Sequence, residues 1–94
     1  MSDVVKAGTL TADGAILNGK GWYHGIRLTG DGTNSARAVV YDNGSAASGT
    51  VIDEVRCGAN ESRGEQFAGG PLMVQNGIYV DVTTPGRATV WYQG

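Results

Sequence analysis

Apolar and polar residues alternate in short runs along most of this chain. The alternation has a period of two, and glycine, asparagine or aspartate closes each run after about four to eight residues. Such runs indicate half-buried antiparallel strands, because side chains of a strand point to opposite faces in turn. No window shows the helical repeat of about 3.6 residues together with capping residues. The pattern predicts an all-β protein.

The runs predict about seven to eight strands. They are 4–10, 15–17, 22–28, 36–42, 50–57, 72–74, 78–82 and 87–93, with a polar connection over 58–64 and a short apolar stretch at 65–67. This spacing is typical of a small antiparallel β-sandwich or a jelly-roll-like barrel. The order of the strands stays open, since jelly-roll and immunoglobulin-like windings share the same spacing.

Strict alternation also assigns faces to side chains. In the run 22–28 it predicts two groups on opposite faces: Trp22, His24, Ile26 and Leu28 on one, and Tyr23, Gly25 and Arg27 on the other. In the last run it predicts Ala88, Val90 and Tyr92 on one face, with Thr89 and Trp91 on the other.

Two segments carry strong turn signals. Asn76-Gly77 stands between alternating apolar runs, which predicts a tight hairpin there. Thr83-Thr-Pro-Gly86 has proline and glycine at the positions that a type II turn favours. We therefore expect a hairpin at the first segment and a type II turn at the second.

Length and composition indicate a single domain over residues 1–94. The 16 glycines of the 94 residues follow no Gly-X-Y period, which excludes collagen. A domain this small has a thin stability margin and commonly needs disulfides, a metal or oligomerisation. Cys57 is the one cysteine and His24 the one histidine, so neither an intramolecular disulfide nor a zinc cluster is expected. Oligomerisation is the route that remains.

Charge and targeting signals narrow the class of partner. Seven basic residues stand against nine acidic ones, and the basic residues are scattered along the sequence. A general nucleic-acid binder needs clustered Lys and Arg, so no nucleic-acid partner is expected. No secretory signal and no long apolar stretch is present, which predicts a protein made in the cytosol with no membrane partner.

The residues that could form a catalytic or metal site are each explained more simply by a structural role. Cys57 and His24 with one of the aspartates would form a nucleophilic set, but no enzyme family's spacing surrounds them. Cys57 on a strand is expected to be a small buried hydrophobe. The segment Asp31–Ser35 lacks the order of a calcium loop and predicts an Asx turn. No enzymatic activity, metal or cofactor is expected.

Aromatic side chains are the best candidates for an interaction surface. In each of the adjacent pairs Trp22–Tyr23 and Trp91–Tyr92, alternation places one ring inside and one outside. An interface is favoured over a sugar-stacking platform because a small domain gains from extra burial. The candidate interface residues are Trp22, Tyr23, Tyr79, Trp91 and Tyr92.

Four segments resemble a known class. They are Ala38-Val-Val-Tyr-Asp-Asn43, Ser48-Gly-Thr50, Asn76-Gly-Ile-Tyr-Val80 and Ala88-Thr-Val-Trp-Tyr92. Together they resemble the small β-sandwich virion proteins of tailed bacteriophages, over roughly residues 22 to 92.

The resemblance implies a structural part of a phage particle, made in the bacterial host cytoplasm and located in the virion. It implies a capsid decoration or cement protein, a homotrimer that binds the major capsid protein where capsomers meet and stabilises the shell. The alternative is a carbohydrate-binding or adaptor module of the phage tail or adsorption apparatus. Exposed, coplanar aromatic rings are expected of that alternative.

Overall fold

The structure is a computed structural model that describes residues 5–66, 71–83 and 86–94. Within these residues the chain forms nine strands and no helix. The strands are β1 (Lys6–Leu10), β2 (Gly14–Asn18), β3 (Gly21–Gly30), β4 (Ala36–Tyr41), β5 (Val51–Cys57), β6 (Ser62–Gln66), β7 (Leu72–Val74), β8 (Gly77–Thr83) and β9 (Gly86–Gln93). The predicted all-β class is confirmed.

The strands form two antiparallel sheets that pack face to face as a sandwich. Sheet A has the order β1-β9-β3-β6, and β7 also pairs with β3. Sheet B has the order β2-β8-β4-β5. Because β9 runs along one edge of β3, β6 and β7 lie one after the other along its opposite edge. β6 ends the order of sheet A and β5 ends that of sheet B, and the two edge strands contact each other on the same side of the sandwich.

The core lies between the inner faces of the two sheets. One of its fully buried side chains, Val74, comes from the edge strand β7. Most of the others come from the two central strands of each sheet, for example Ile26, Leu28, Val40, Val80 and Val90. Each of these belongs to a strand with a neighbour on both edges, so its backbone groups are satisfied while its side chain is removed from water. Alternation in β9 is as predicted: Ala88 and Val90 are buried and Tyr92 packs against the core.

The predicted faces of β3 are wrong for Trp22 and Tyr23 because of a β-bulge, whereas Ile26 and Leu28 share one face and Arg27 lies on the other, as predicted. The register with β9 shifts between Tyr23 and Gly25, so one extra residue stands in β3 at this point. A bulge reverses the alternation on one side of it. Tyr23 therefore shares the buried face with Ile26 and Leu28, while Trp22 lies on the outer face.

The predicted hairpin at Asn76-Gly77 is also wrong, although the chain does turn there. β7 ends at Val74 and β8 begins at Gly77, but β7 pairs with β3 in sheet A and β8 pairs with β2 and β4 in sheet B. The turn is a crossover between the sheets. Gly77 has a φ of 140°, and a Cβ there would stand 2.3 Å from the Leu17 carbonyl oxygen, so glycine is needed at this position.

Two other predicted segments need comment. The polar connection 58–64 is shorter than predicted, since β6 already begins at Ser62 and replaces the stretch expected at 65–67. Residue 67 and the centre of the predicted type II turn, residues 84 and 85, lie outside the described residues.

Candidate interaction surface

The five candidate aromatic residues do not form one surface. Tyr79 lies on β8 of sheet B, whereas the other four lie on β3 and β9 of sheet A. Trp22 is 42% exposed and Tyr23 is fully buried, which confirms that this pair has one ring inside and one outside. Tyr23 therefore belongs to the core and is not part of the surface. Tyr79, Trp91 and Tyr92 are partly buried.

Tyr23 links the two sheets through a hydrogen bond. Its hydroxyl donates to Asp53 Oδ2 at 2.7 Å, and Asp53 Oδ1 accepts from the Glu54 backbone N–H at 2.8 Å. The phenol thus joins β3 of sheet A to the edge strand β5 of sheet B. A buried ring whose hydroxyl has a charged partner holds the two sheets in a fixed relation.

Cys57 and His24, which a nucleophilic set would need close together, lie at different places in the fold. Cys57 is buried in the core, as expected, at the last position of β5 and opposite Ala36. His24 lies at the β3 bulge, where its Nε2 is 2.7 Å from Gln93 Oε1. In the described part of the chain no group of three or more His, Cys, Asp and Glu is arranged to hold a metal ion.

The Asp31 segment forms the predicted Asx turn. Asp31 Oδ1 accepts hydrogen bonds from the backbone N–H groups of Thr33 at 2.8 Å and Asn34 at 2.7 Å. The hydrogen bond from Asn34, followed by that from Thr33, lowers the pKa of the Asp31 carboxyl. The carboxylate stabilises the turn between β3 and β4.

One edge of sheet A carries exposed apolar side chains. Trp22 stands opposite Met73 in the β3–β7 register, and Leu72 precedes Met73 on β7. Met73 is 51% exposed and Leu72 is 39% exposed. We call Trp22, Leu72 and Met73 the β7 edge patch. An edge strand with exposed apolar side chains is suited to pairing with another chain.

The opposite edge of sheet A carries an exposed apolar residue at the same end of the sandwich. Val5 is 44% exposed and directly precedes Lys6, which stands opposite Tyr92 on β9. Gln93, the next residue of β9, stands opposite Trp22. Val5 and the β7 edge patch therefore flank the same end of sheet A from its two sides.

The outer face of sheet B carries an ion-pair network. Glu54 Oε2 accepts from Arg37 Nε at 2.7 Å and from Arg56 Nε at 3.2 Å. The hydrogen bond from Arg37, and then that from Arg56, lowers the pKa of Glu54, and Glu54 in turn raises the pKa of Arg37. All three side chains are exposed, so the network orients the arginines more than it stabilises the fold.

Two aspartates lie close together on the β8 side of sheet B. Asp13 Oδ1 accepts from the Val82 backbone N–H at 2.9 Å. Partial burial first, and then a hydrogen bond and repulsion from Asp13, raise the pKa of the Asp81 carboxyl, while Arg37 acts in the opposite direction. The pair places like charges side by side and so opposes folding at neutral pH.

A groove of about 540 Å³ lies where the edge strands β5 and β6 face each other. We call it the arginine groove; it is lined by Arg27 of β3, by Glu54 and Arg56 of β5 and by Ser62, Arg63 and Gly64 of β6. These arginines are scattered along the sequence because they belong to three different strands. They come together when the two sheets pack.

Comparison with protein families, with curated proteins and with solved structures finds no match for this chain. In the part of the chain that the structure describes, no helix has the length and apolarity needed to cross a bilayer. The fold, the β7 edge patch and the arginine groove are the observations on which a function is argued.

Proposed function

We propose that the protein is a structural binding module that works as a homo-oligomer, specifically a bacteriophage virion protein of the capsid decoration or cement type. The observation that carries the oligomer is that exposed apolar side chains flank one end of sheet A on both sides. Val5 lies at the β1 edge, and Leu72 and Met73 lie at the β7 edge. The four segments that resemble phage virion proteins support the more specific role.

Apolar residues on both edges favour a ring of subunits over a two-fold dimer. In a head-to-tail contact, the β7 edge patch of one copy packs against the Val5 edge of the next copy. Such a contact uses two different surfaces, so it closes as a ring when the rotation between copies fits. The homotrimer that the sequence resemblance implies is one such ring.

The proposed mechanism is bridging. A trimer presents three copies of each outer face to the shell, so modest contacts with the major capsid protein add up on a rigid lattice. Each contact restrains neighbouring capsomers and opposes their separation under the pressure of the packaged genome. The proposed location is the virion, after synthesis in the bacterial host cytoplasm, with no nucleic-acid or membrane partner.

The test of the virion role is the copy number of the chain in purified particles of the encoding phage. Quantitative mass spectrometry is expected to find the chain in a fixed, high ratio to the major capsid protein. Addition of the purified protein to capsids that lack it is expected to raise their thermal disruption temperature. Absence of the chain from the particles would sink the proposal.

The exposed ring of Trp22 favours one further candidate, a carbohydrate-binding or adaptor module of the phage tail or adsorption apparatus. A flat indole ring can stack on a sugar face. The partial burial of Tyr79, Trp91 and Tyr92 weighs against a platform of several coplanar rings. Binding to host glycans that is lost in a Trp22→Ala variant, together with low copy number, would favour this candidate over the cement role.

A further inference from the structure

We propose that the arginine groove binds a short, extended, acidic peptide segment of a partner protein. Three of the chain's seven basic residues, Arg27, Arg56 and Arg63, line it, and among the described side chains Glu54 adds a carboxylate. The whole chain has a net charge of −2, so a cluster of three arginines is a local excess of positive charge on an acidic protein. Charge of one sign in a groove between low-dielectric walls attracts the opposite sign.

The arginines keep most of their donors available. Among the described contacts, Arg27 donates to Ser62 Oγ at a long 3.4 Å, and Arg63 lies 3.8 Å from a Glu61 oxygen. The side chains of Arg56 and Arg63 are 71% and 64% exposed. Each guanidinium has five N–H donors in a fork that matches a carboxylate. Incoming carboxylates can therefore meet Arg27 and Arg63 without first breaking a strong pair, while Arg56 keeps its bond to Glu54 and offers its remaining donors.

Glu54 indicates which anion suits this site. One of its oxygens accepts from both Arg37 and Arg56, at 2.7 and 3.2 Å. A carboxylate is thus already held by an arginine of the groove. Carboxylates of a partner would meet Arg27 and Arg63 in the same kind of charge-assisted hydrogen bond.

The groove also has the shape for an extended chain. β5 pairs with β4 alone, and β6 with β3 alone, among the described strands. Outer backbone N–H and C=O groups of both strands lie along the two sides of the groove, where an extended peptide can pair with them. The Glu54 N–H is already engaged, since it donates to Asp53 Oδ1 at 2.8 Å. Alternate side chains of such a peptide point to the same side, so acidic residues at every second position face the arginines.

Gly64 keeps the floor of the groove open. It stands opposite Arg27 in the β3–β6 register, and a Cβ there would lie 2.5 Å from the Ile26 carbonyl oxygen and 3.1 Å from Arg27 Cβ. The absence of a side chain at this position leaves the stem of Arg27 room to lie across β6.

Nucleic acid fits the groove less well than an acidic peptide. A DNA strand carries one phosphate charge about every 3.4 Å, and its binding needs cations along its whole length. Here Glu54 lines the groove, Glu61 lies beside Arg63, and the protein as a whole is acidic. A short peptide with spaced carboxylates meets the three arginines without approaching these negative groups along a long contact.

The test is fluorescence anisotropy with a fluorescein-labelled hexapeptide of alternating glutamate and threonine, titrated with the intact protein at low salt. The matched probe has glutamine in place of glutamate. The groove variant is Arg27→Gln/Arg63→Gln, and the matched control is Lys20→Gln/Arg87→Gln, which removes the same charge at two exposed sites outside the groove. A thermal unfolding curve for each variant establishes that it is folded.

The proposal expects the acidic probe to bind and the glutamine probe not to bind. It expects the groove variant to bind the acidic probe at least about tenfold more weakly, while the control variant stays within about twofold of the parent. Equal losses in both variants would show that net charge alone governs binding and would overturn the proposal. So would tighter binding of a thymidine oligonucleotide, or of inorganic phosphate, than of the acidic peptide.

A second measurement needs no variant. In the unsubstituted protein, the acidic peptide is expected to shift the side-chain Nε–Hε resonances of Arg27, Arg56 and Arg63 and to leave that of Arg87 unchanged. Shifts confined to other parts of the protein, or no shifts at millimolar peptide, would refute the proposal. Neither result depends on the oligomeric state or on the virion role.

Discussion

β6 and β7 pair with the same edge of β3, but β6 contributes to a charged surface and β7 to an apolar one. The β6 half presents Arg63 near Arg27. Gly64 of β6 stands opposite Arg27 and leaves room for its side-chain stem. The β7 half presents Met73 opposite Trp22, with Leu72 next to Met73 along the strand. One edge of one sheet thus offers a charged surface and then an apolar surface, and the central strand β3 contributes one residue to each, Arg27 and Trp22. The comparison teaches that the strand paired with β3 decides the character of the surface, because β3 itself contributes both an arginine and a tryptophan.

The two halves also differ in how they are anchored. Behind the β7 half, Tyr23 is buried and donates to Asp53 of the other sheet at 2.7 Å. Behind the β6 half, the end of β3 and the loop after it are joined to the β5–β6 connection. The Gly30 N–H donates to the Glu61 carbonyl and the Gly32 N–H donates to the Ala59 carbonyl. Side-chain packing therefore holds one half, and close backbone approach holds the other.

The largest expected effect comes from Gly64→Ala, which breaks the β6 half. The new Cβ would stand 2.5 Å from the Ile26 carbonyl oxygen and 2.8 Å from Arg27 Cα, and neither backbone atom can move cheaply. We expect a loss of about 2–3 kcal/mol in the free energy of unfolding, measured by urea denaturation. Gly8→Ala is the control, because its Cβ meets the flexible end of Ile16 at 2.9 Å. Similar losses in both variants would contradict the expectation.

Tyr23→Phe weakens the anchor behind the β7 half. The substitution leaves the Asp53 carboxylate without the phenol donor, at a cost of about 1–2 kcal/mol. Tyr92→Phe is the control, since Tyr92 stands opposite Tyr23 and packs against the core without a described side-chain hydrogen bond. Chemical denaturation of both variants checks this prediction, and an unchanged midpoint for Tyr23→Phe would refute it.

Trp22→Ser/Met73→Ser removes the apolar chemistry of the β7 half, and a urea denaturation curve establishes that the isolated subunit still folds. The main effect of the two substitutions is on association. In the parent, the unfolding temperature is expected to rise with protein concentration, because a folded oligomer is stabilised by mass action. The double variant is expected to lose this dependence, whereas Val51→Ser, an exposed site on β5, keeps it.

Glu54→Gln, at a residue that lines the arginine groove, is expected to have the smallest effect on the free energy of unfolding. Hydrogen bonds from Arg37, and then Arg56, lower the pKa of Glu54, so its charged form stabilises the native state above the unfolded value of 4.5. That contribution is lost as the pH falls below 4.5 through the folded-state pKa. The stability difference between parent and variant is therefore expected to be larger at neutral pH than at acid pH. A difference that is the same in urea titrations at both pH values would contradict this sign.

How far the sequence predicts this molecule depends on whether each strand alternates without interruption. β9 does so, and the burial of Ala88 and Val90 follows from its sequence alone. β3 does not, because the bulge between Tyr23 and Gly25 adds one residue, and no composition signal marks where the alternation reverses. Asn76-Gly77 predicts a turn correctly but cannot say which sheet the next strand joins, since long-range pairing decides that.

The interaction surfaces show the same limit. Trp22 is recognisable as a candidate because a tryptophan beside a tyrosine on a strand must place one ring outside. The β7 edge patch as a unit is not, because Leu72 and Met73 read as an ordinary strand until pairing places that strand at an edge. The arginine groove is further still from the sequence, since Arg27, Arg56 and Arg63 meet only after the two sheets have packed.

The most direct test of the proposed oligomer is the solution mass of the protein, measured by size-exclusion chromatography with light scattering over a dilution series. The proposal predicts a trimer mass in the parent at high concentration and a monomer mass in Trp22→Ser/Met73→Ser under the same conditions. A parent that remains a monomer at every concentration, or a variant that assembles as the parent does, would contradict self-association through the β7 edge patch.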